Sequence, residues 1–309
     1  MNRRYDNFEH LAKLKGLTNG GAIDGFPCFV VINGEWQGIY NFNIPKDGWM
    51  LGMGEGTKEA IVCADWTGAK CAFKTTEDLR TDGSPYDFET EYVTDEDNAD
   101  WVQAGINTLI QACIDCDGTN LSTIERYLDI NSAIDYYILV TAMGGGDNIK
   151  KNYLLSTYDG TKWFFTPYDM DGTWGLGAMG NAFFTVGTRG EVTRLPSNTM
   201  ESEKYFKTVA NTHRLFEIIY KYMPRQLINR YKRLREEKLT VGLLEYIVET
   251  HIKNVPMIAF EEEAKKWKTI PSTQVSNANQ IIRWAREKLE ILDYEIELLE
   301  SSLASTNEA

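Results

Sequence analysis

Two turn-forming dipeptides, Asn33-Gly34 and Asp159-Gly160, each separate a pair of apolar and β-branched runs, and they constrain the fold more than any other feature. A dipeptide of this kind between two apolar runs is the strongest short signal for a β-hairpin, because Asn, Asp and Gly tolerate the positive φ that the turn requires. The predicted strands cover residues 29–32 and 35–42 in the first hairpin, and residues 152–158 and 161–166 in the second. The fold must therefore accommodate two antiparallel strand pairs that are distant in sequence.

Helical patterns fill the stretch between the hairpins and most of the chain after about residue 200. Between the hairpins we expect helices over 99–114 and 132–143, the second with Ser132 and Asp135 as a variant capping box. Near the C-terminus, apolar residues recur every three or four positions, which is typical of one buried helical stripe. The stripe consists of Leu289, Leu292, Ile296, Leu299 and Leu303. The sequence thus predicts the α+β class, with a β-hairpin-rich N-terminal part and a helical C-terminal part.

Proline and glycine are spread along the 309 residues without forming a linker, so we expect a single two-lobed domain over residues 1–309. The β-rich lobe is predicted over 1–98, and residues 99–309 are predicted to hold the second hairpin and the helical lobe. The segment 87–100 carries seven acidic residues and no basic one. We interpret it as a solvated loop before a helix, because the helix dipole favours acids near its N-terminus.

The charge and composition argue against several classes of protein. With 32 basic and 45 acidic residues, the formal charge is −13, and a surface this acidic disfavours nucleic acid and anionic membranes as partners. No apolar run approaches the roughly 18 residues that a membrane-spanning helix needs. Hydrophobic residues make up 43% of the chain, so we expect a folded protein rather than a disordered one.

The cysteines and the N-terminus bear on the cellular compartment. The five cysteines are an odd number and indicate free thiols in a reducing environment rather than a disulfide framework. Cys113 and Cys116 have C-x-x-C spacing, but without a second pair they are interpreted as ordinary thiols at a helix end. Residues 1–10 show no apolar signal-peptide core. We expect a cytoplasmic or virion-associated protein.

The segments on either side of the second hairpin carry the strongest chemical signal. Asp147 precedes the hairpin, Asn152 opens its first strand, and Asp169 and Asp171 follow its second strand. A hairpin returns the chain to its start, with neighbouring strands about 5 Å apart. We therefore expect three carboxylates and one amide to converge at one end of a sheet, where flanking glycines allow close approach of the backbone.

Converging carboxylates repel one another unless a cation neutralises them. Oxygen ligands select a hard cation such as Mg²⁺ or Mn²⁺, and Mg²⁺ usually combines one or two carboxylates with substrate phosphates, which indicates a nucleotide. Asp147 and Asn152 also have the D-x-x-x-x-N spacing of the protein-kinase catalytic loop, in which Asp is the base and Asn binds metal. An alternative interpretation, surface residues that form turns, stays open.

The motifs around the second hairpin resemble the CotH kinase family, which are atypical protein kinases named after a spore-coat protein kinase. The resemblance lies in D-N-I-K-K-N-Y-L-L from Asp147 and in W-F-F-T-P-Y-D-M-D-G-T-W-G from Trp163. Residues 31–40 are similar to the family's N-G-x-x-x-G-x-Y segment, and residues 72–74 to a segment in which an aromatic residue precedes a Lys. The resemblance covers roughly residues 20 to 300.

Three departures from the family pattern are visible. Tyr168 stands where the family usually has Trp in P-W-D-x-D, and the segment 41–46 lacks the Glu that commonly follows the first hairpin. The family's upstream β region, with its G-x-x-S motif and basic stretch, has only about 25 residues to occupy here. We therefore expect a truncated or phage-borne member of the family.

The resemblance implies an atypical protein-kinase-like fold and phosphoryl transfer from ATP to a Ser or Thr hydroxyl of a protein substrate. It implies that Asp147 is the catalytic residue, which accepts or orients the proton of that hydroxyl. The implied ligands of Mg²⁺ or Mn²⁺ are Asn152, Asp169 and Asp171. The implied nucleotide-binding lysines are Lys74 and Lys151.

Two other functions stay open from the sequence. One is a catalytically reduced binding or structural module of a phage tail or a surface assembly, which the departures from the family pattern favour. The other is a metal-dependent phosphotransferase or hydrolase that is not a kinase and uses the same carboxylates.

Overall fold

The computed structural model describes residues 14, 16–175, 205–268 and 276–306 of the chain. The prediction that no signal peptide is present falls on residues 1–10, outside the described residues. The strands are β1 (Gly25–Ile32), β2 (Glu35–Asn43), β3 (Ala60–Ala64), β4 (Phe88–Val93), β5 (Tyr153–Thr157) and β6 (Trp163–Pro167). The helices are α1 (Asp100–Ile114), α2 (Leu121–Tyr127), α3 (Ile130–Met143), α4 (Tyr205–Thr212), α5 (Arg214–Tyr222), α6 (Pro224–Glu237), α7 (Val241–Lys253), α8 (Met257–Lys266) and α9 (Ser276–Thr306). Within these ranges, none of the helices combines the length and the apolar character that a membrane span requires.

The first predicted hairpin is present as β1 and β2, which pair antiparallel as a two-stranded sheet. Its turn has positive φ at both Asn33 (54°) and Gly34 (82°), as the dipeptide predicts. The outer edge of β2 contacts α8. There the Ile39 amide donates to the Glu263 carboxylate at 2.7 Å, and the indole of Trp267 donates to the carbonyl of Gln37 at 2.7 Å.

The second predicted hairpin, β5 and β6, lies inside a four-stranded antiparallel sheet of order β4-β3-β5-β6. Every residue of β3 and β5 is buried. Such continuous burial fits their sequences, since A-I-V-C-A and Y-L-L-S-T lack the apolar-polar alternation of a half-exposed strand. One strand from before residue 98 thus pairs directly with one from after it, β3 with β5. The division into lobes at residue 98 stays a prediction.

The acidic segment 87–100 is not simply a solvated loop, as the sequence analysis expected, because its first half forms β4. Within β4, Phe88 packs in the larger core cluster together with Ala64, whereas Tyr92 packs against a second cluster that contains Ile61. Phe88 is buried in the core, and Ala64 is its partner on β3. The strand therefore forms by pairing with β3 while Glu89 remains exposed and Glu91 pairs with Lys46.

Helix α3 packs on β6 and starts two residues earlier than predicted. The predicted capping box of Ser132 and Asp135 is wrong. Asp129 is the N-cap, and its carboxylate accepts from the Ser132 amide at 3.0 Å. Asp135 instead pairs through both carboxylate oxygens with Arg230 of α6, at 2.6 and 2.8 Å.

The helical part completes the core as the sequence predicts. In α9, Leu289, Leu292 and Ile296 are buried, and Leu299 and Leu303 pack against the same cluster. All five cysteines are free, which confirms the expectation of thiols without disulfides. The α+β class, with strands concentrated in the N-terminal part and helices in the C-terminal part, is confirmed.

Candidate functional site

The second hairpin sets the relative position of the two motif segments. Tyr153, at the start of β5, is the register partner of Pro167, at the end of β6. Asn152 and Asp169 therefore flank one end of the same strand pair, one residue before β5 and two residues after β6. The backbone amide of Asn152 also donates to the backbone carbonyl of Ala64 at 2.8 Å, which attaches this end of the hairpin to the end of β3.

The backbone of these segments adopts conformations that L residues rarely take. Five non-glycine residues in the described part of the chain have positive φ, and three of them lie here: Asn152 (56°), Asp169 (49°) and Trp174 (55°). A left-handed conformation costs roughly 1–2 kcal/mol for a residue with a side chain, somewhat less for Asn and Asp. Such backbone strain clusters at functional sites, where the surrounding structure holds it in place.

A buried asparagine that the sequence analysis missed holds the two segments together. Asn148 is 1% exposed, and its amide nitrogen lies 3.2 Å from the carbonyl oxygen of Asn152, 3.0 Å from that of Tyr168 and 3.1 Å from that of Asp169. Its own carbonyl accepts from the Tyr136 hydroxyl of α3 at 2.6 Å. One side chain thus links the loop before β5 to the loop after β6. Its only sequence signal is its place directly after Asp147.

The electrostatics of Asp169 show which charged groups share its environment. Burial raises the pKa of Asp169 above its usual value, and the negative charges of Asp171 and then Asp147 raise it further. The positive charges of Lys151 and Lys46 act in the opposite direction. The three predicted carboxylates and two lysines therefore lie close enough to influence one another.

Lys46 is the second residue that the sequence analysis missed. Its ammonium group pairs with the Glu91 carboxylate of β4 and lies 5.0 Å from the ring centroid of Tyr168. Burial alone would lower the pKa of Lys46, but the hydrogen bond and charge of Glu91 outweigh it and leave the pKa raised. Lys46 is thus a fixed positive charge beside Asp169. It belongs to the segment 41–46, where the chain departs from the family pattern.

The two predicted nucleotide-binding lysines lie in different surroundings. Lys151 acts on the pKa of Asp169, as described above, and its backbone amide donates to the Asp147 carbonyl at 2.9 Å. Lys74 donates from its ammonium group to the carbonyl of Asn211, at the end of α4, at 3.2 Å. The nucleotide-binding role of both lysines stays a prediction.

The donor set fits a hard divalent cation of the predicted kind. Asn152, Asp169 and Asp171 offer oxygen atoms only, which is the chemistry that Mg²⁺ and Mn²⁺ prefer. The pKa of Asp169 is raised first by burial and then by the charges of Asp171 and Asp147, and a cation would stabilise the carboxylate form against both effects. Within the described residues, no group of three or more His, Cys, Asp or Glu side chains is arranged to hold a metal ion. Mg²⁺ is usually held by one or two carboxylates plus substrate phosphates, so the nucleotide would have to complete this site.

Comparison with known proteins identifies the family. Residues 22–292 match the family described as CotH kinase protein, which covers most of the chain. No curated protein matches the chain. The matched range includes both hairpins, the segments that carry Asp147 and Asp169, and most of α9. The chain therefore belongs to the CotH kinase family.

Proposed function

We propose that the protein catalyses phosphoryl transfer from ATP to a Ser or Thr hydroxyl of a protein, with Mg²⁺ or Mn²⁺ as cofactor. Membership of the CotH kinase family indicates an atypical kinase-like function, and the substrates and cofactors are our extension of it. The observation that supports the extension most is the shared electrostatic environment of Asp169, Asp171, Asp147 and Lys151 at one end of the second hairpin.

The metal-binding role falls to the residues next to the hairpin ends. Asn152 and Asp169 would hold the cation, with Asp171 as a further ligand or as a partner that orients Asp169. A bound divalent ion neutralises charge on the phosphates during transfer. The positive φ at Asn152 and Asp169 would set the direction in which the backbone presents both side chains to the cation.

Asp147 is proposed to act on the protein substrate. Its carboxylate would accept the proton of the Ser or Thr hydroxyl as the oxygen attacks the terminal phosphorus of ATP, and ADP leaves. Asp147 lies in a short 3-10 turn, Asp147–Ile149, which starts after the glycine segment that follows α3. The backbone at Asp147 is held by the next residue, because Asn148 is buried and hydrogen-bonded to Tyr136 of α3 and to Tyr168 after β6.

Positive charge for the phosphates is available from two sides of the site. Lys46 and Lys151 both act on Asp169, and Lys46 is further held by Glu91 of β4. A lysine held by a glutamate is also the arrangement by which protein kinases position their phosphate-binding lysine. We therefore propose Lys46 for this role, in addition to Lys151 and the sequence-predicted Lys74.

The proposal is tested by incubating the protein with γ-labelled ATP, Mg²⁺ or Mn²⁺ and a Ser-rich acceptor protein. We expect label on the acceptor, and we expect Asp169→Ala to weaken metal-dependent nucleotide binding in calorimetry. Thr161→Ala, in the hairpin turn at the opposite end of β5 and β6, serves as a matched control that binds normally. Unchanged nucleotide affinity in Asp169→Ala would show that the metal role is misassigned.

One observation favours a second candidate, a binding module without turnover. The segment 41–46 lacks the Glu that commonly follows the first hairpin in the family. A module of this kind would bind nucleotide without transferring label to any acceptor. The same labelling experiment separates the two functions, and free phosphate released without an acceptor would indicate a hydrolase instead.

A further inference from the structure

One indole of the C-terminal helix α9 lies against both motif segments of the candidate site. Trp284 is 4% exposed, although it is among the largest side chains in the protein. It contacts Gly144, three residues before Asp147, and Trp174, three residues after Asp171. One segment precedes the second hairpin in the sequence and the other follows it. Because α9 contacts both, it constrains their relative position in addition to the hairpin itself.

The contact with Gly144 requires a glycine at that position. Gly144 ends α3 in the left-handed conformation, with φ of 67°. A Cβ atom at this position would lie 2.7 Å from the nearest carbon of the Trp284 indole, which is closer than real Cβ contacts. The backbone that leads into Asp147 therefore packs directly against the face or edge of the indole, with no side chain between them.

The contact with Trp174 attaches the other segment. The two indole rings meet edge to face, with centroids 6.2 Å apart and an interplanar angle of 89°. Trp174 also has a positive φ, and its amide donates to the carbonyl of Met143, the last residue of α3, at 2.7 Å. The end of α3, the segment after Asp171 and Trp284 are therefore in mutual contact.

We infer that Trp284 is a positioning residue that fixes the separation between Asp147 on one segment and Asp169 and Asp171 on the other. This inference rests on the proposed function, since it assigns Trp284 a part in the same reaction. Trp284 touches no reacting atom, and it acts through the two backbone segments that it contacts. An element that is distant in sequence and belongs to the helical part thereby takes part in forming the site.

The test compares Trp284→Leu with Leu292→Ala, a matched variant in the same helix whose side chain is fully buried. Hydrogen exchange of the intact protein reports on residues 144–152 and 168–175 separately from the rest of the core. We expect Trp284→Leu to raise exchange in both segments by about tenfold relative to wild type, and Leu292→Ala to leave both near the wild-type rate. In the transfer assay, we expect Trp284→Leu to lower kcat more than it changes KM for ATP.

The outcomes separate this inference from the proposed function. If wild type transfers no phosphate, the proposed function fails, and the exchange comparison still decides the role of Trp284. The inference would be overturned if Trp284→Leu and Leu292→Ala showed the same exchange rates at the two segments. A uniform rise in exchange across the whole protein in Trp284→Leu would also overturn it. If Trp284→Leu does not fold, Trp284→Met provides the same comparison, whereas Trp284→Phe, which keeps an aromatic ring, should retain most of the wild-type kcat.

Discussion

The first hairpin exposes its aromatic side chains, whereas the second buries its own inside a four-stranded sheet. Phe26 and Phe42 stack on each other across β1 and β2 and remain 59% and 61% exposed. Phe164 and Phe165 of β6 are 1% and 2% exposed. Both hairpins contain a turn dipeptide of the predicted kind, but Asn33 has the positive φ that was expected at both turn residues and Asp159 does not, since the second turn joins Thr157 to Trp163. A turn dipeptide of this kind accompanies strand pairing in both hairpins and burial in only one. Burial depends on the neighbours: β3 and α3 pack against the second hairpin, whereas α8 contacts the first hairpin along one edge.

The two hairpins also differ in their relation to the candidate site. The candidate site lies at one end of the buried hairpin, the end at which β5 begins and β6 finishes. There Asn152 and Asp169 both have positive φ. In the first hairpin the positive φ occurs in the turn, at Asn33 and Gly34, and within β2 at Gly38, rather than beside a cluster of carboxylates. The comparison predicts that activity and stability both respond strongly to changes near the second hairpin and weakly to changes in the first.

The largest effect is expected from Asp147→Asn. The change removes the proton acceptor while keeping the size of the side chain, so kcat should fall by about 10²–10⁴-fold, the usual contribution of general-base catalysis. ATP affinity should stay near wild type, because Asp147 is assigned to the hydroxyl rather than to the metal. Steady-state transfer and calorimetry measure the two quantities. As the control in the first hairpin, Phe42→Ala should keep kcat within about twofold of wild type, since surface changes away from a site have small effects. Equal losses of binding and of transfer in Asp147→Asn would show that its role is misassigned.

The next effect concerns stability and compares two phenylalanines directly. Phe165 packs against Tyr136 and Tyr153, with ring centroids 5.0 and 5.1 Å apart, so Phe165→Ala should cost about 3–5 kcal/mol of unfolding free energy. Phe42→Ala loses one exposed stacking contact, so it should cost no more than about 1 kcal/mol. Denaturant unfolding of the two variants measures both values. Similar costs would mean that the first hairpin is covered in solution by something absent from the folded monomer.

How much the sequence revealed depends on whether a feature is local. The turn at Asn33 and Gly34 and the helical stripe around Leu292 were predictable because a few neighbouring residues determine them. Strand β4 was missed because its pairing with β3 is a long-range property and its sequence contains two glutamates. The convergence of Asp147 with Asp169 could be expected, since a hairpin imposes it.

The remaining parts of the site could not be read from spacing. Lys46 reaches Asp169 from a segment more than a hundred residues away, and its partner Glu91 lies on another strand. Asn148 bonds across the hairpin ends, and Trp284 arrives from the last helix. Each of these residues contributes through tertiary contacts, and no local pattern in the sequence distinguishes them from ordinary surface or core residues.

The buried side of the second hairpin also predicts a dependence of stability on pH. His213 stacks on Phe216 with ring centroids 4.3 Å apart, and its centroid lies 4.8 Å from that of Phe73 and 6.3 Å from that of Tyr153 of β5. Burial, with a smaller contribution from the charge of Lys74, lowers the pKa of His213 from 6.5 to about 3. The unfolded state therefore binds the proton more readily. The stability contributed by neutral His213 is complete above pH 6.5 and is lost as the pH falls from 6.5 towards 3.

The measurement compares wild type with His213→Phe, which keeps a stacked ring and removes the titrating group. Across that pH range, the difference in unfolding free energy between the two proteins should change by up to about 1.4 kcal/mol per pH unit, the value for one proton. Denaturant unfolding at a series of pH values gives the slope. A difference that stays constant over this range would mean that His213 is protonated or solvated in the folded protein.

The smallest expected effect is a difference in stability between substitutions in the turns of the two hairpins. Gly34 and Gly160 both have positive φ, 82° and 72°, so replacing either by Ala should cost a similar amount of backbone strain, roughly 1–2 kcal/mol. Their surroundings differ, because a Cβ on Gly34 would meet nothing within 4 Å, whereas a Cβ on Gly160 would lie 3.0 Å from Lys58 and 3.2 Å from Trp101. Gly160→Ala should therefore destabilise the protein more than Gly34→Ala, by about 1 kcal/mol, as expected for mild overpacking. Thermal unfolding of the two variants measures this difference. Equal losses would show that the flexible Lys58 side chain moves aside at no cost, so that the turn of the buried hairpin is no more constrained than that of the exposed one.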